Sequence, residues 1–362
     1  MRVINAFSTS LGAVLAGGLF LGGCSHLGPQ TVAADRFDYS TAIADSWKQQ
    51  TLLNIVKLRY LDLPVFVDVA SVVSGYSMET ALAAGKTWPE TSAMGGSVAS
   101  LAGSARFIDR PTVTYLPMTG EKFLRGLITP IEPKHIFFML QAGYAADFLL
   151  GLTVESLNGV RNRSVTAGGV RDADPDFIRV LELLRDVQAA GAVSMRVETD
   201  KDKGETSVLL LRRDEMSDEI KAKTAEIRRL LKLSPDQQRL VLTYSPIRGA
   251  EHELAVNSRS MLQIMGAFSS YLQAPEEHLK DGSAVPAFER AGAEQRRPAV
   301  RILSGKARPR DAFAAVQYRG YWFWIDNKDW QTKRTLTAIM FFFTLAETEG
   351  SEKLPMITIP AQ

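Results

Sequence analysis

The sequence predicts an α+β fold, a mixed and mostly antiparallel sheet covered by helices. Three observations predict it. Residues 174–244 alternate by pattern as helix, strand, strand, helix, strand, which is the order of a sheet with helices laid against it. Of the 362 residues, 46% are hydrophobic and 23% charged, enough apolar material to offset the entropy of folding and exclude a disordered chain. Beyond the N-terminus no segment reaches about 18 consecutive apolar residues, and the best candidate, Ala338 to Ala346, has the length of a buried helix.

The elements follow in order. Ser40 caps a predicted helix running to about Tyr60, with Ile43, Trp47, Leu52, Ile55 and Val56 near helical spacing, and Pro64 ends the region. Val65 to Val69 is β-branched and reads as a strand. Residues 80–106 are dense in Ala, Gly and Ser, the pattern of a small-residue loop or weak hairpin, and Pro111 to Leu116 is a strand. Helices are expected at 119–128, 133–142 and 145–158. Asp174-Pro175 opens the next helix and Gly191 closes it.

Val193, Met195 and Val197 alternate with Ser194, Arg196 and Glu198 as a half-buried strand. After the turn DKDKGE a second strand returns over 207–212. Ser217 caps a helix to Leu233, Gln238 to Tyr244 is a strand, and 257–272 is a helix. Residues 274–298, rich in Pro, Gly, Glu and Arg, read as a long mobile loop. Arg319-Gly320 joins two strands of a tight hairpin, in which Trp322 and Trp324 are expected on the buried face and Phe323 on the other. A helix over 331–347 and a strand over 356–359 complete the chain, with no internal repeat.

Arg2 is the only charged residue among residues 1–23, the apolar stretch Leu11 to Leu21 follows it, and small residues come next. This is the layout of a cleaved signal peptide, since eleven helical residues span only about 16 Å, half of a bilayer core. The segment ends Leu21-Gly22-Gly23-Cys24, and Cys24 is the chain's single cysteine. That tetrapeptide resembles the lipobox of bacterial lipoproteins. The resemblance implies that Cys24 is the lipid attachment site, carrying a thioether-linked diacylglyceryl group, with cleavage after Gly23 and acylation of the new amino terminus. Two or three acyl chains anchor a protein stably where one does not. In such lipoproteins an Asp after the cysteine favours inner-membrane retention, so Ser25 points to the outer membrane.

The expected organisation is a signal peptide at 1–23, a lipidated N-terminus and tether at 24–35, and one α+β body at 36–362 with a candidate seam at 162–174.

Charge excludes one class of partner. With 42 basic and 40 acidic residues the net charge is +2, so no polyanion such as nucleic acid is expected. One cysteine excludes a disulfide framework and a cysteine-rich metal site. The motifs that resemble chemistry are incomplete. Gly85-Lys86-Thr87 lacks the first glycine of a phosphate loop, and His252-Glu253 has Val256 where a second ligand is required. Residues 200–211 have Glu205 at the glycine position of a calcium loop and Leu211 at its acid position, and Gly75-Tyr76-Ser77-Met78-Glu79 lacks the last glycine of a nucleophile elbow. Thr119-Gly120-Glu121-Lys122 has only a nucleophile–lysine spacing. His26, His135 and His278 lie far apart and read as surface or satisfied core histidines.

Two features remain as binding candidates. Tyr318, Tyr321, Trp322, Phe323, Trp324 and Trp330 form an aromatic platform or, more simply, a sheet core. Arg161, Arg163 and Arg171 around Gly168-Gly169 form an anion site or a solvated connector.

The segments YRGYWFWIDNKDW and PTVTYLPMTGEKFLRGLITPI are similar to stretches of bacterial envelope lipoproteins of unassigned activity. The expectation is therefore a periplasm-facing lipoprotein of the outer membrane, held by its lipid anchor, that acts as a non-enzymatic interaction or assembly component with an envelope protein partner. It has no catalytic, metal or cofactor residues to name. The competing expectation is a tethered envelope hydrolase acting on peptidoglycan, glycan or ester.

Overall fold

The computed structural model describes residues 31–73, 76–87, 98–109, 112–166, 169–200, 204–211, 216–286 and 300–348. It is an α+β protein with mixed, mostly antiparallel sheets, as expected. Helix α1 (Thr31–Arg59) leads to a β-rich segment of β1 (Phe66–Val73), β2 (Tyr76–Thr87), β3 (Val98–Asp109) and β4 (Thr112–Met118). Three short helices follow, α2 (Glu121–Ile128), α3 (Pro133–Gln141) and α4 (Ala146–Thr153), and then β5 (Val154–Leu157), β6 (Val160–Arg161), β7 (Ser164–Thr166) and β8 (Gly169–Arg171).

Next come α5 (Pro175–Ala189), β9 (Val193–Asp200), β10 (Gly204–Leu211), α6 (Asp218–Leu230), β11 (Arg239–Tyr244), β12 (Glu253–Ser258), α7 (Met261–Ser269) and α8 (Glu276–Lys280). The last described elements are β13 (Leu303–Gly305), β14 (Ala312–Tyr318), β15 (Tyr321–Asp326) and α9 (Trp330–Thr348). The expected strand at 356–359 and the turn at 201–203 lie outside the described residues.

The chain divides into two compact units, Val65–Phe123 and the remainder, where the sequence led to one body with a seam at 162–174. Ser164–Thr166 and Gly169–Arg171 pair antiparallel as β7 and β8 inside the larger unit. In the larger unit six strands pair in the order β6-β5-β12-β11-β10-β9. Only β11 and β12 run parallel, and only four residues of each are paired, so a connection of residues 245–252 suffices to carry the chain back over about 13 Å. Leu254, Ala255 and Val256 in succession are buried, as are Val208 and Leu209, so the middle of this sheet is covered on both faces. A second sheet, β13-β15-β14, packs through β14 on α1.

Several local expectations are met. Ser217 caps α6 by accepting from the Ile220 amide, and Ile227, Leu230 and Leu231 are buried. Arg319 (φ 45°) and Gly320 (φ 80°) make the β14–β15 turn.

Others are corrected. The first helix begins at Thr31 rather than Ser40, so it takes in the end of the expected tether. The expected helix 145–158 ends at Thr153, and the chain passes directly into β5; Asn158 (φ 46°) and Gly159 (φ 84°) turn it into β6. The expected helix 257–272 is strand β12 up to Ser258 and then α7, which starts with a capping box between Ser260 and Gln263. The loop expected to be mobile at 274–298 is held at its start: α8 buries His278, Ala284 is 1% exposed, and the Val285 amide donates to the Arg59 carbonyl at 3.0 Å. Residues 287–299 lie outside the described residues.

The buried face of β15 is also the reverse of the expected one. Phe323 and Ile325 are fully buried, while Trp322 and Trp324 are half-buried. Phe323 stacks edge-on with Tyr60, which the end of α1 supplies, and Ala314 and Val316 of β14 are buried beside it.

The smaller unit is a long two-stranded ribbon. β1 pairs antiparallel with β4 from Phe66↔Met118 to Val73↔Thr112, with a bulge between Val69 and Ser71. β2 pairs with β3 from Tyr76↔Asp109 to Thr87↔Val98, in the same register three residues further along each leg. Phe66 is buried at the base of this ribbon, edge-on to Phe123.

Candidate functional site

Cys24 lies outside the described residues. Within the larger unit the polar chemistry gathers in two places.

The first is a cleft of about 270 Å³ lined by Asn162, Arg163, Arg259, Tyr271, Phe148 and Phe268 among others. Arg259, next to the end of β12, is buried, and burial is the main cause holding its guanidinium below the usual arginine range; Glu155 of β5 opposes that shift. Its Nε donates to Glu155 at 3.1 Å, its Nη1 to the Leu152 carbonyl at 3.1 Å, and its Nη2 to the Arg163 carbonyl. Arg171 takes the other Glu155 oxygen at 3.1 Å, and Arg163 donates to the Tyr271 hydroxyl at 3.0 Å.

Of the triplet singled out by sequence, Arg171 thus shares the Glu155 carboxylate with Arg259, and Arg163 meets Arg259 through its carbonyl, which makes the wall of this cleft rich in donors. Arg161 stands apart, its amide donating to Asp174 at 2.8 Å. Arg259 carried no motif. The sequence places it inside the expected helix 257–272.

The second place is the end of α1. Tyr60, His278, Tyr318, Phe323 and Tyr321 stack edge-on around Arg319, whose guanidinium lies 5.0 Å from the Tyr60 ring centre. The Asp62 carboxylate accepts from Tyr318 and, at 3.1 Å, from Arg319, and the Tyr318 bond chiefly holds it below the usual carboxylate range. The aromatic run is therefore dispersed and makes no single platform. Phe323 is core, Tyr318 and Tyr321 flank the Tyr60–His278 pair, Trp322 lies under Arg308 at 5.3 Å, and Trp330 is exposed.

The motif fragments find no supporting geometry among the described residues. Gly85-Lys86-Thr87 and Tyr76-Ser77-Met78-Glu79 lie in strand β2, with neither the helix of a phosphate loop nor that of a nucleophile elbow. Thr119 and Gly120 immediately precede α2. His252 is exposed, and His278 is a core histidine bonded to Tyr60. No group of three His, Cys, Asp or Glu side chains fit to hold a metal occurs among the described residues.

The ribbon is the third feature. β2 and β3 have 12 residues each and form a sheet of two strands, with no third strand paired to either among the described residues. Ala81, Ala83, Ala84, Ala102, Gly103 and Ser104 are exposed, as are Tyr115 and Leu116 further down β4. An isolated pair of strands is marginal in water. In comparisons with family models, curated proteins and solved structures, nothing matches this chain.

Proposed function

We propose that the chain is a lipoprotein of the bacterial outer membrane, anchored through acylated Cys24 with its body facing the periplasm, and that it works as a non-enzymatic interaction or assembly component of the envelope. The observation that carries the reading is the position of the single cysteine, at the end of Leu21-Gly22-Gly23-Cys24 and after an apolar stretch too short to span a bilayer. The distribution of polar and apolar groups supports the interaction role. In the larger unit the buried polar side chains Arg259, His278 and Asn158 are each bonded, to Glu155, to Tyr60 and to the Ala255 amide, while the ribbon exposes small and apolar residues.

Mass spectrometry of the mature N-terminal peptide tests the anchor. Cys24 should be the first residue and should carry a diacylglyceryl thioether, and Cys24→Ser should accumulate as a precursor about 23 residues longer. An unmodified Cys24, or a mature chain starting elsewhere, refutes the anchor. Photo-crosslinkers placed at Tyr115 and Leu116 in intact cells should give adducts, and their complete absence counts against the interaction role.

A further inference from the structure

We infer that the β2–β3 ribbon enters the bilayer as one hairpin of a transmembrane β-barrel whose other strands come from further copies of this chain. The inference rests on the envelope location proposed above and names what the ribbon contacts there.

Register sorts the ribbon into two faces of opposite chemistry. Tyr76, Met78, Thr80, Leu82 and Ala84 stand opposite Asp109, Phe107, Ala105, Gly103 and Leu101. Successive strand residues alternate between faces, so these positions share one face with Lys86 opposite Ala99, and its two ionisable residues, Asp109 and Lys86, stand at its two ends. The other face places Ser77, Glu79, Ala81, Ala83 and Gly85 opposite Ile108, Arg106, Ser104, Ala102 and Ser100. Apart from Ile108 and Val98 at its ends, that face holds small and polar residues, with Glu79 and Arg106 at facing positions. Apolar positions alternating with small polar ones is the pattern of barrel strands with lipid outside and water inside. A ribbon built to cover a soluble core would be buried on its apolar face, yet Ala84 and Gly103 on that face are exposed.

The length fits the same environment. Twelve residues at roughly 3.3 Å each, tilted by about 40°, cross roughly 30 Å, the hydrocarbon thickness of a typical bilayer. The apolar set begins at Tyr76 and ends before Lys86, placing an amphipathic ring at one end and a cation able to reach the interface at the other. No described helix is long and apolar enough to cross a membrane.

The edges then determine the partner. Hydrocarbon satisfies no backbone N–H or C=O, and among the described residues no third strand joins the β2–β3 sheet. A second copy supplies a strand of the same length, face pattern and register to each edge, and repetition closes the ring. Closure needs about eight strands, hence at least about four copies. Ala, Ser and Gly on the inner face suit the lumen of so small a barrel.

The test uses the full-length acylated chain with one introduced cysteine, Ala81→Cys, Leu82→Cys, Ala83→Cys or Ala84→Cys, labelled with a bimane fluorophore. Each labelled chain is reconstituted in phosphatidylethanolamine–phosphatidylglycerol vesicles containing brominated-chain lipid. Quenching at 82 and 84 should exceed that at 81 and 83 by about twofold or more, following the period of a strand. Equal quenching at all four positions, or none, overturns the inference. So does alternating protection from an impermeant thiol reagent without bromolipid quenching, since a protein would then cover the ribbon.

Native mass spectrometry of wild type should show four or more copies, and Ala84→Arg should reduce it to monomer with an unchanged thermal melt. A wild-type monomer, or an oligomer indifferent to Ala84→Arg, overturns the inference. Alternating quenching in a preparation whose Cys24 proves unacylated refutes the anchor alone, so the two readings fail separately.

Discussion

The Tyr60 hydroxyl lies 2.7 Å from Nδ1 of His278, 218 positions later in the chain, and both side chains are buried. This bond ties the end of the first long helix to the short helix α8, and the β14–β15 hairpin closes over both through Tyr318, Tyr321 and Phe323. Burial, the largest cause, pushes the Tyr60 phenol up to about 12, against the opposing pull of Arg319. A raised phenol stabilises the fold fully below its unfolded value near 10, and that contribution is lost as pH rises toward 12. Wild-type melting temperature should therefore fall across pH 10–12, and Tyr60→Phe should flatten that limb while costing about 1–3 kcal/mol at neutral pH for the unsatisfied histidine nitrogen. An alkaline limb as steep in Tyr60→Phe as in wild type would show that another group titrates there.

Phe323 should matter more than its tryptophan neighbours. Phe323→Ala removes a fully buried ring and should cost about 3–5 kcal/mol in urea unfolding. Trp324 is half-buried over Gly305, where an added Cβ would stand 3.4 Å from its Cη2, and Trp324→Ala should cost less. Equal losses would contradict the observed face of β15.

Glu155 and Arg259 form a buried pair in which the two partners are unequal. Glu155→Ala leaves the Arg259 guanidinium buried without its carboxylate and should destabilise by about 3–5 kcal/mol. Arg259→Met removes the buried charge itself and should cost less, because Glu155 is more exposed and keeps Arg171. Equilibrium urea unfolding of both variants and the double mutant separates the terms.

Asn158 should be costly to replace although it lies in a two-residue turn. Its Oδ1 accepts from the Ala255 amide at 2.7 Å and its Nδ2 donates to the Leu231 carbonyl at 2.9 Å. Asn158→Ala strands both groups and forces a left-handed φ on alanine, so a loss of about 3 kcal/mol is expected. Asn158→Gly relieves only the backbone term and should recover a minor part of it. A full recovery would mean that the side-chain bonds contribute nothing.

The sequence by itself determined what depends on neighbours in the chain. Ser217 at a helix start, Arg319-Gly320 at a turn and the strand opening at Val193 each depend on a few adjacent residues, and each is where the pattern placed it. The Leu21-Gly22-Gly23-Cys24 segment is likewise legible without any fold.

The tertiary structure decided the rest. In Tyr321 to Ile325 every residue is apolar or aromatic, so alternation carries no contrast, and the position of Tyr60 selected Phe323 for the interior. Arg259 met Glu155 and Arg171 only because β12 pairs beside β5, a contact 104 positions apart that no local pattern encodes. The ribbon looked like a weak hairpin because Ala, Gly and Ser give little hydrophobic signal. Its two faces became visible only once residue-by-residue register set Met78 opposite Phe107 and Glu79 opposite Arg106, since strand pairing is a non-local choice made by the whole chain.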